Sequence, residues 1–392
     1  MTSVLVGTAR TRISGAIRHF CHSSCVGWRQ VGRGVAKLGL TTAIAAFVFA
    51  AGDYSAKAQT KDAARDTANA VSRDPDVPNS YRSFAPELGK TLARVPRPFT
   101  GPPPVNFSGL HVEEVKPGLF YVTDGVYQSA FIRTGEGIVV FDAPPSFADK
   151  YLGVIEEHAS GEPIKFLLYS HNHADHIGGS AAFGSVKDLK IVAPKSVADA
   201  LAAESHPGIL KPNTTFEDKY LLSLGREIVE IKTAHFHSEV ADAIIYLPRQ
   251  KFIAAIDTIT PGDVPFMNFG ATSKFGGYVK LFDEILQYDF DTILSGHTSI
   301  LGNREDLVLN RDYVRDVWDT AMKGMASMLP TFEKTFAAFG QKNGNLAYRV
   351  AMETVRKECS VQIIDRWKDK LSVVDVWADS HCETVVLHAI MH

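Results

Sequence analysis

The stretch Ser170-His-Asn-His-Ala-Asp-His-Ile-Gly-Gly-Ser180 places three histidines and one aspartate within six consecutive positions. Imidazole nitrogens and carboxylate oxygens are ligands of zinc and related metal ions. A short apolar run, residues 164–169, comes directly before this cluster and is typical of a buried strand. The four side chains would therefore lie on a loop at a strand end, where Gly178 and Gly179 permit a tight turn.

This cluster predicts a metal site whose first candidate ligands are His171, His173, Asp175 and His176. The alternative is a polar loop whose histidines cap a helix, which would not require such a density of ligand-type side chains. A single histidine elsewhere, such as His206, is better explained as an ordinary structural or surface residue.

The cluster and four further motifs, in their order along the chain, resemble the metallo-β-lactamase superfamily, a large group of mostly hydrolytic metalloenzymes. The resemblance covers about residues 109–300. Each further motif is a histidine or an aspartate that follows a strand-like run, within residues 137–142, 233–238, 252–257 and 295–297. The resemblance implies an α/β fold, an αββα four-layer sandwich of two mixed β-sheets flanked by helices, with a C-terminal helical extension. It does not name the substrate, because this fold hosts many chemistries.

The resemblance also implies a site for two metal ions. One ion would be bound by His171, His173 and a histidine of residues 233–238. The other ion would be bound by Asp175, His176 and His297, and Asp257 would bridge the two ions. Two zinc ions are the expected cofactors, with iron or manganese as alternatives.

Two histidines compete for the third position on the first ion. The spacing to the next strand-like run and the following Ser238 favour His237 as the metal ligand, with His235 as a supporting residue nearby. The assignment stays open, because the Gly-His-Thr surroundings usual in the family are absent. Asp142 is expected to support the ligand loops through hydrogen bonds without binding metal, although an ordinary strand-end aspartate is the alternative.

The predicted function is that of a dinuclear metal-dependent hydrolase, which uses a metal-bridging hydroxide on an ester, lactone or β-lactam carbonyl. Two cations about 3.5–4 Å apart lower the pKa of a bridging water. Asp175 is the predicted catalytic residue, because a carboxylate beside the nucleophile can orient it and pass its proton to the leaving group. The alternatives are a thioesterase or sulfatase-type hydrolase of the same superfamily, or an iron-dependent oxidoreductase on the same scaffold.

The expected partner is a small molecule with apolar character. Residues 261–277 carry Phe266, Met267, Phe269 and Phe275 among Gly270, Gly276 and Gly277. Aromatic side chains on a glycine-rich loop beside a metal site suggest a mobile apolar wall of a pocket. The alternative is a loop that packs onto the core.

The charge distribution argues against nucleic acid as a partner. The first 58 residues hold seven lysines and arginines and one acid, which leaves 34 bases and 43 acids of the totals of 41 and 44, a balance of −9. A net-acidic body is a poor partner for phosphate backbones. A homo-oligomer remains open.

The beginning of the chain predicts export. A basic stretch precedes about fourteen mostly apolar residues, 38–51, and a small-x-small site before Gln59. Residues 1–58 are therefore expected to be a signal peptide with a long basic front region, and the mature protein to be periplasmic or secreted without a membrane attachment. An N-terminal membrane anchor or an organellar presequence is the alternative, although the apolar run is short for a spanning helix, which needs about twenty residues.

Composition divides the rest of the chain into three predicted parts. Residues 59–105 are rich in proline towards their end and are expected to form a linker or a wrapping arm. Residues 106–302 would be the metallo-β-lactamase-like domain and residues 303–392 a helical region, covering the site mouth or mediating dimerisation. Cys359 and Cys382 either pair in an oxidising compartment or stay as buried thiols.

Overall fold

The computed structural model describes residues 109–392 except 160, 205, 299 and 340–342. The predicted signal peptide, residues 1–58, and the predicted proline-rich arm, residues 59–105, lie outside the described residues. Within the described part of the chain, no helix has the length and apolar character needed to cross a membrane.

Two mixed β-sheets form the centre of the fold. The first sheet has seven strands in chain order, antiparallel up to its fourth strand and parallel beyond it. These strands are β1 (His111–Lys116), β2 (Leu119–Thr123), β3 (Gln128–Arg133), β4 (Ile138–Phe141), β5 (Ile164–Leu168), β6 (Lys190–Pro194) and β7 (Thr214–Phe216).

The second sheet has five strands, β8 (Lys219–Leu224), β9 (Glu227–Ala234), β10 (Asp242–Leu247), β11 (Phe252–Ala254) and β12 (Thr292–Leu294). Their spatial order follows the chain, and β11 and β12 form the parallel pair while the other neighbours are antiparallel.

Helices cover the outer faces of both sheets. The described helices are α1 (Ala148–Ala159), α2 (Ala174–Ile177), α3 (Lys195–Ala203), α4 (Phe275–Ile285), α5 (Arg304–Gly324), α6 (Met328–Phe339), α7 (Gly344–Trp367) and α8 (Val374–Met391). Short 3-10 segments lie at Ser180–Ser185 and Met325–Ser327, and a turn lies at Met267–Ala271.

The apolar side chains form one cluster between the sheets and one on each outer face. Phe141 of the first sheet packs with Phe252 of the second in the central cluster. Val140 points to the opposite face and packs with Tyr151 of α1. This alternation is what a strand buried on both faces requires, because successive side chains point to opposite sides of a sheet. The predicted αββα four-layer sandwich is confirmed.

The C-terminal helices cover the outer face of the second sheet. Ile253 of β11 shares a cluster with Phe282 of α4, Tyr313 of α5 and Val385 of α8. The structure joins Cys359 of α7 to Cys382 of α8 in a disulfide, the pairing that the sequence left open. These helices therefore complete the outer layer behind the second sheet.

Some strands and one helix have sequence patterns too weak to predict them. Strands β6, β7 and β8 have no clear sequence signal, because β6 begins with an exposed lysine and ends at Pro194, and the other two are short or largely exposed. The last helix, α8, also lacks a clear helical periodicity. Its apolar residues occupy several faces, since it packs against α5, α7 and the turn at residues 267–271.

Candidate metal centre

The candidate ligands lie at one edge of the two sheets, where several strands end. The histidine cluster follows β5, and the loop with His237 follows β9. Asp257 follows β11, and His297 follows the parallel neighbour β12. The Ala243 N–H, at the start of β10, donates a hydrogen bond of 2.6 Å to the Ser170 carbonyl and joins the two sheets at this edge. Parallel strands that end together bring their following loops to one place, which is why residues distant in sequence meet here.

The structure brings four of the seven candidate ligands into one group, with one nitrogen or oxygen atom of each within 4.8 Å of the others: His171, His173, His237 and Asp257. Nε2 of His237 lies 3.1 Å from Nδ1 of His173. It also lies 3.1 Å from Oδ2 of Asp257.

Asp175, His176 and His297 form a second group with the same limit of 4.8 Å between their ligand atoms. Oδ2 of Asp175 lies 3.5 Å from Nε2 of His176 and 3.6 Å from Nε2 of His297. This second group is the more exposed one, because 41% of the Asp175 side chain and 37% of the His297 side chain are accessible to solvent.

Asp257 lies between the two groups. Its Oδ2 is 3.1 Å from Nε2 of His176, and its Oδ1 is 3.0 Å from Nε2 of His297. Burial by itself would raise the pKa of Asp257, but His176, His237 and His297 outweigh it and hold the pKa well below its usual range. Asp257 is therefore a carboxylate whose Oδ2 contacts His237 of the first group and His176 of the second, while its Oδ1 contacts His297 of the second.

The donor atoms fit a metal ion. Nε2 of His171 and Nε2 of His176 are buried near Asp257 and have no hydrogen-bond partner in the described residues. A buried polar atom without a partner is costly, and coordination of a cation would satisfy both nitrogens. Burial, reinforced by His176, lowers the pKa of His171 well below its usual value, so its ring is neutral as a metal ligand must be.

His176 is electrostatically coupled to Asp257. Burial lowers the pKa of its ring, but the carboxylate of Asp257 outweighs burial and raises the pKa to about 9. The carboxylate of Asp257 therefore favours positive charge beside His176, and a bound cation would supply it.

Asp142 and Ser170 support the histidine loop from β4 and β5. Oδ1 of Asp142 accepts a hydrogen bond of 2.8 Å from the Ser170 N–H, and the Ser170 hydroxyl lies 2.9 Å from Nδ1 of His171. This contact turns Nε2 of His171 towards Asp257. Asp142 is buried, which raises its pKa to about 6.

Asp242 holds the loop of His237 and was missed by the sequence reasoning. Its Oδ2 accepts hydrogen bonds of 2.9 Å from the N–H groups of Phe236 and His237, and its Oδ1 accepts one of 2.9 Å from Ser238. A carboxylate that receives three backbone donors fixes the loop in one conformation. The only sequence signal was an aspartate that opens the strand after the histidine loop.

The sequence reasoning also missed Glu239, which lies beside His173. Its Oε2 is 3.3 Å from Nε2 of His173, while Nδ1 of His173 faces His237. The Nε2–H of His173 can therefore donate to Glu239 and leave Nδ1 free for a metal. Such carboxylate partners set the tautomer and orientation of a ligand ring.

The two histidines after β9 have different positions. His237 is buried beside Asp257, whereas the side chain of His235 is exposed. Nδ1 of His235 lies 3.0 Å from the Val240 carbonyl oxygen, and in the described structure His235 forms no hydrogen bond with any of the seven candidate ligands. The predicted supporting role of His235 stays a prediction, since the contact of its ring in the described structure is with the Val240 carbonyl oxygen.

Glycines permit close approaches around the ligands. Gly296 has φ +92°, and a Cβ atom there would lie 2.6 Å from Cγ2 of Ile256 and 2.9 Å from Cε1 of His176. A Cβ atom on Gly179 would lie 2.5 Å from the Pro144 carbonyl oxygen. The glycine that ends the ligand stretch therefore serves close packing, since its φ of −90° is accessible to other residues.

The loop of residues 261–277 combines the two alternatives that the sequence left open. Phe269 and Phe275 are buried in the outer cluster of the second sheet, whereas 55% of Phe266 and 40% of Met267 are exposed. The Ser273 hydroxyl donates a hydrogen bond of 2.9 Å to the His237 carbonyl oxygen. The loop is thus anchored beside the ligands and presents two large apolar side chains to solvent.

Comparison with known proteins agrees with this fold. The sequence pattern of the metallo-beta-lactamase superfamily matches residues 122–297. This match contains all seven candidate ligands, so the domain they belong to is a member of the metallo-β-lactamase superfamily.

Curated relatives match about half of the chain. The alpha subunit of 2,4-dinitroanisole O-demethylase from Nocardioides sp. (strain JS1661) is 26% identical over 211 residues, which are 53% of this chain and 62% of that protein. A linear primary-alkylsulfatase from Pseudomonas sp. (strain ATCC 19151) is 24% identical over 249 residues, 50% of this chain and 46% of that protein. The chain thus spans about half to three fifths of the length of these two relatives.

A solved structure shares the fold. The stereoselective inverting sec-alkylsulfatase from Pseudomonas sp. superposes with a TM-score of 0.53 at 17% identity, over 72% of this chain and 52% of that one. At this identity, the likeness concerns the architecture alone.

Proposed function

We propose that this chain is a hydrolase that uses two metal ions to cleave an ester-type bond in a small molecule with an apolar part. The observation that carries the proposal is the convergence of two groups of candidate ligands on the carboxylate of Asp257. A pair of metal ions bound there would make water a nucleophile near neutral pH and polarise an oxygen of the substrate.

Each group would bind one ion. His171, His173 and His237 would supply nitrogens to the first, and Asp175, His176 and His297 would supply an oxygen and two nitrogens to the second. Asp257 would give one oxygen to each. Zinc suits this set of imidazole and carboxylate donors, and iron or manganese also accepts such ligands.

Asp175 is the proposed acid-base residue. Its carboxylate lies at the more exposed side of the site, where a substrate can reach it. It would accept a proton from the attacking water and deliver it to the leaving group. Asp142 and Asp242 would act only through the loops that they hold.

The proposed substrate carries an apolar group. Phe266 and Met267 are exposed on a loop that is anchored to the backbone of His237. Exposed large apolar side chains beside a site mark a binding surface more often than chance. The net-acidic body would not favour a polyanionic substrate.

Two bond types are candidates for the reaction. The fold and the site are compatible with carbonyl substrates, namely an ester, a lactone or a β-lactam. A sulfate ester is the second candidate, because a relative that resembles this chain in sequence is named as a linear primary-alkylsulfatase. Both reactions would use a metal-activated water as the nucleophile.

Export to the periplasm or the medium is part of the proposal and rests on the sequence of residues 1–58 alone. A basic start, an apolar run of about fourteen residues and a small-x-small site are the features of a secretory signal.

A substrate panel tests the proposed function. Full-length protein loaded with zinc, manganese or iron is assayed with a chromogenic carboxylic ester, a lactone, a cephalosporin, an aryl sulfate and an alkyl sulfate, with and without a chelator. We expect turnover of one class that the chelator abolishes and that His297→Ala lowers by at least about 100-fold. Protein that binds no metal under any of these conditions would refute the proposal.

A further inference from the structure

Tyr127 lies on the exposed side of the metal centre. Its ring centroid is 5.1 Å from that of His297 and 6.1 Å from that of His176, both members of the second ligand group. This is the side on which Asp175 and His297 are accessible to solvent, whereas His171 and His237 are buried. Tyr127 therefore borders the more exposed of the two ligand groups.

The hairpin between β2 and β3 holds Tyr127 in this position. Oδ1 of Asp124 accepts a hydrogen bond of 2.8 Å from the Tyr127 N–H, and the Thr123 hydroxyl donates one of 2.7 Å to the Tyr127 carbonyl oxygen. Backbone contacts then join the hairpin to the loop of His297, to which Tyr127 is directly bridged. Hydrogen bonds thus hold both the N–H and the carbonyl oxygen of Tyr127 in place.

The neighbouring Gln128 strengthens this connection. Its N–H donates a hydrogen bond of 2.8 Å to the Gly296 carbonyl oxygen, and its side-chain amide donates one of 2.7 Å to the Ile300 carbonyl oxygen. The Thr298 N–H donates one of 2.9 Å to the Val126 carbonyl oxygen. The hairpin tip and the His297 loop therefore behave as one rigid unit that would keep the phenol in place during a reaction.

The hydroxyl of Tyr127 differs from those of core tyrosines. Tyr169 and Tyr278 donate their hydroxyls to the carbonyl oxygens of Leu210 and Thr258, at 2.8 Å and 2.5 Å. Among the described residues, the Tyr127 hydroxyl has no hydrogen-bond partner, although its ring is part-buried against two ligand histidines. A phenol that is rigidly positioned beside a reaction centre with a free O–H is available to donate to a ligand.

We propose that Tyr127 is a catalytic residue whose hydroxyl donates a hydrogen bond, at the second ligand group, to the substrate oxygen on which negative charge develops during the reaction. This inference rests on the proposed function for its reaction. The O–H group of a phenol is a hydrogen-bond donor. A donor that is already in position when charge develops on the substrate oxygen stabilises the transition state.

Tyr127→Phe tests this role, because it removes only the oxygen and keeps the ring on His297. We expect kcat to fall about 10- to 100-fold, with KM within about two-fold of the wild type and unchanged metal content. Tyr220→Phe is the matched control, since Tyr220 is a part-buried tyrosine in β8 whose ring contacts Phe216. It should leave kcat and metal content unchanged.

A second measurement does not depend on turnover. Calorimetric titration of the zinc-loaded protein with sulfate and with acetate measures the affinity for an oxyanion. We expect Tyr127→Phe to weaken the binding of one or both anions about ten-fold relative to the wild type and to Tyr220→Phe. The binding of these anions decides the role of Tyr127 even if the substrate panel shows no turnover. An absence of turnover would count only against the proposed function.

Two outcomes would overturn the inference. If Tyr127→Phe binds both anions as tightly as the wild type, the hydroxyl does not contact the substrate oxygen. If Tyr127→Phe loses metal in proportion to its loss of kcat, Tyr127 merely supports His297.

Discussion

Oδ1 of Asp257 lies 3.0 Å from Nε2 of His297, while Oδ2 of the same carboxylate lies 3.1 Å from Nε2 of His237. His237 belongs to one group of candidate ligands and His297 to the other. A single buried side chain therefore contacts both halves of the site, and the behaviour of the two halves should depend on it.

Replacement of Asp257 by Asn should disturb both metals. The amide has no charge and only one oxygen, so it cannot serve two cations. Metal analysis of purified protein should give close to two zinc ions per wild-type chain and less than one per Asp257→Asn chain. His297→Ala should remove mainly one ion. His206→Ala is the control, because His206 pairs with Glu204 away from the site. Full retention of one ion by Asp257→Asn would exclude a bridging role.

Replacement of Asp242 by Asn should loosen the loop of His237. One carboxylate oxygen would become an amide donor and would face backbone N–H groups that need an acceptor. We expect the free energy of unfolding in urea to fall by about 1–3 kcal/mol and zinc affinity to fall as well. Asp289→Asn is the control, since Asp289 is exposed and pairs with Lys251 at the surface. An unchanged zinc affinity for Asp242→Asn would show that the loop does not depend on this carboxylate.

Stability should fall in acid because of His381. Burial lowers the pKa of this ring from 6.5 to about 4. Its Nε2 donates a hydrogen bond to the Phe266 carbonyl oxygen, and the Tyr313 hydroxyl lies 2.7 Å from its Nδ1. Between pH 6.5 and 4 the unfolded chain binds the proton and the folded chain does not, so the free energy of unfolding decreases as the pH falls through this window.

Above about pH 6.5, His381 does not change the free energy of unfolding. Near pH 4, it lowers the free energy of unfolding by roughly 3 kcal/mol. Urea unfolding at pH 7.5, 5.5 and 4.5 gives the free energy of unfolding of the wild type and of His381→Asn. We expect this free energy to fall more steeply with decreasing pH in the wild type. Parallel pH profiles of the two proteins would contradict this assignment.

The disulfide should stabilise the C-terminal helices. It joins Cys359 to Cys382 across 23 positions of the chain, and a loop of this size is typically stabilised by about 2–4 kcal/mol. Reduction, or the double replacement by Ser, should lower the melting temperature. Unfolded protein that has not been reduced should not react with a maleimide at these cysteines. Complete labelling under those conditions would show that they do not pair in solution.

Secretion and cleavage remain a prediction from the first 58 residues. Protein recovered from the periplasm or the medium should begin near Gln59, and N-terminal sequencing reads this directly. A chain that keeps Met1 and stays with the membrane fraction would favour the N-terminal anchor instead.

Much of the fold was predictable because its signals are local. The apolar run of β5 and the histidine cluster that follows it are adjacent in sequence, and the same is true of β11 with Asp257 and of β12 with His297. A strand that is buried on both faces must be apolar throughout, and a ligand at its end needs no distant information. Strands β6 and β8 escaped prediction because one is short and ends at Pro194 and the other is largely exposed.

The sequence by itself determined which chemical groups are available: a dense set of histidines and aspartates after strand-like runs, and the superfamily that shares their order. Only the tertiary structure decided which of them meet. It turns His237 towards Asp257 and leaves His235 exposed, and it adds Asp242, Glu239 and Tyr127 to the site. The physical reason is that these positions depend on backbone hydrogen bonds and ring contacts between segments far apart in the chain, and such contacts leave no periodic trace in the sequence.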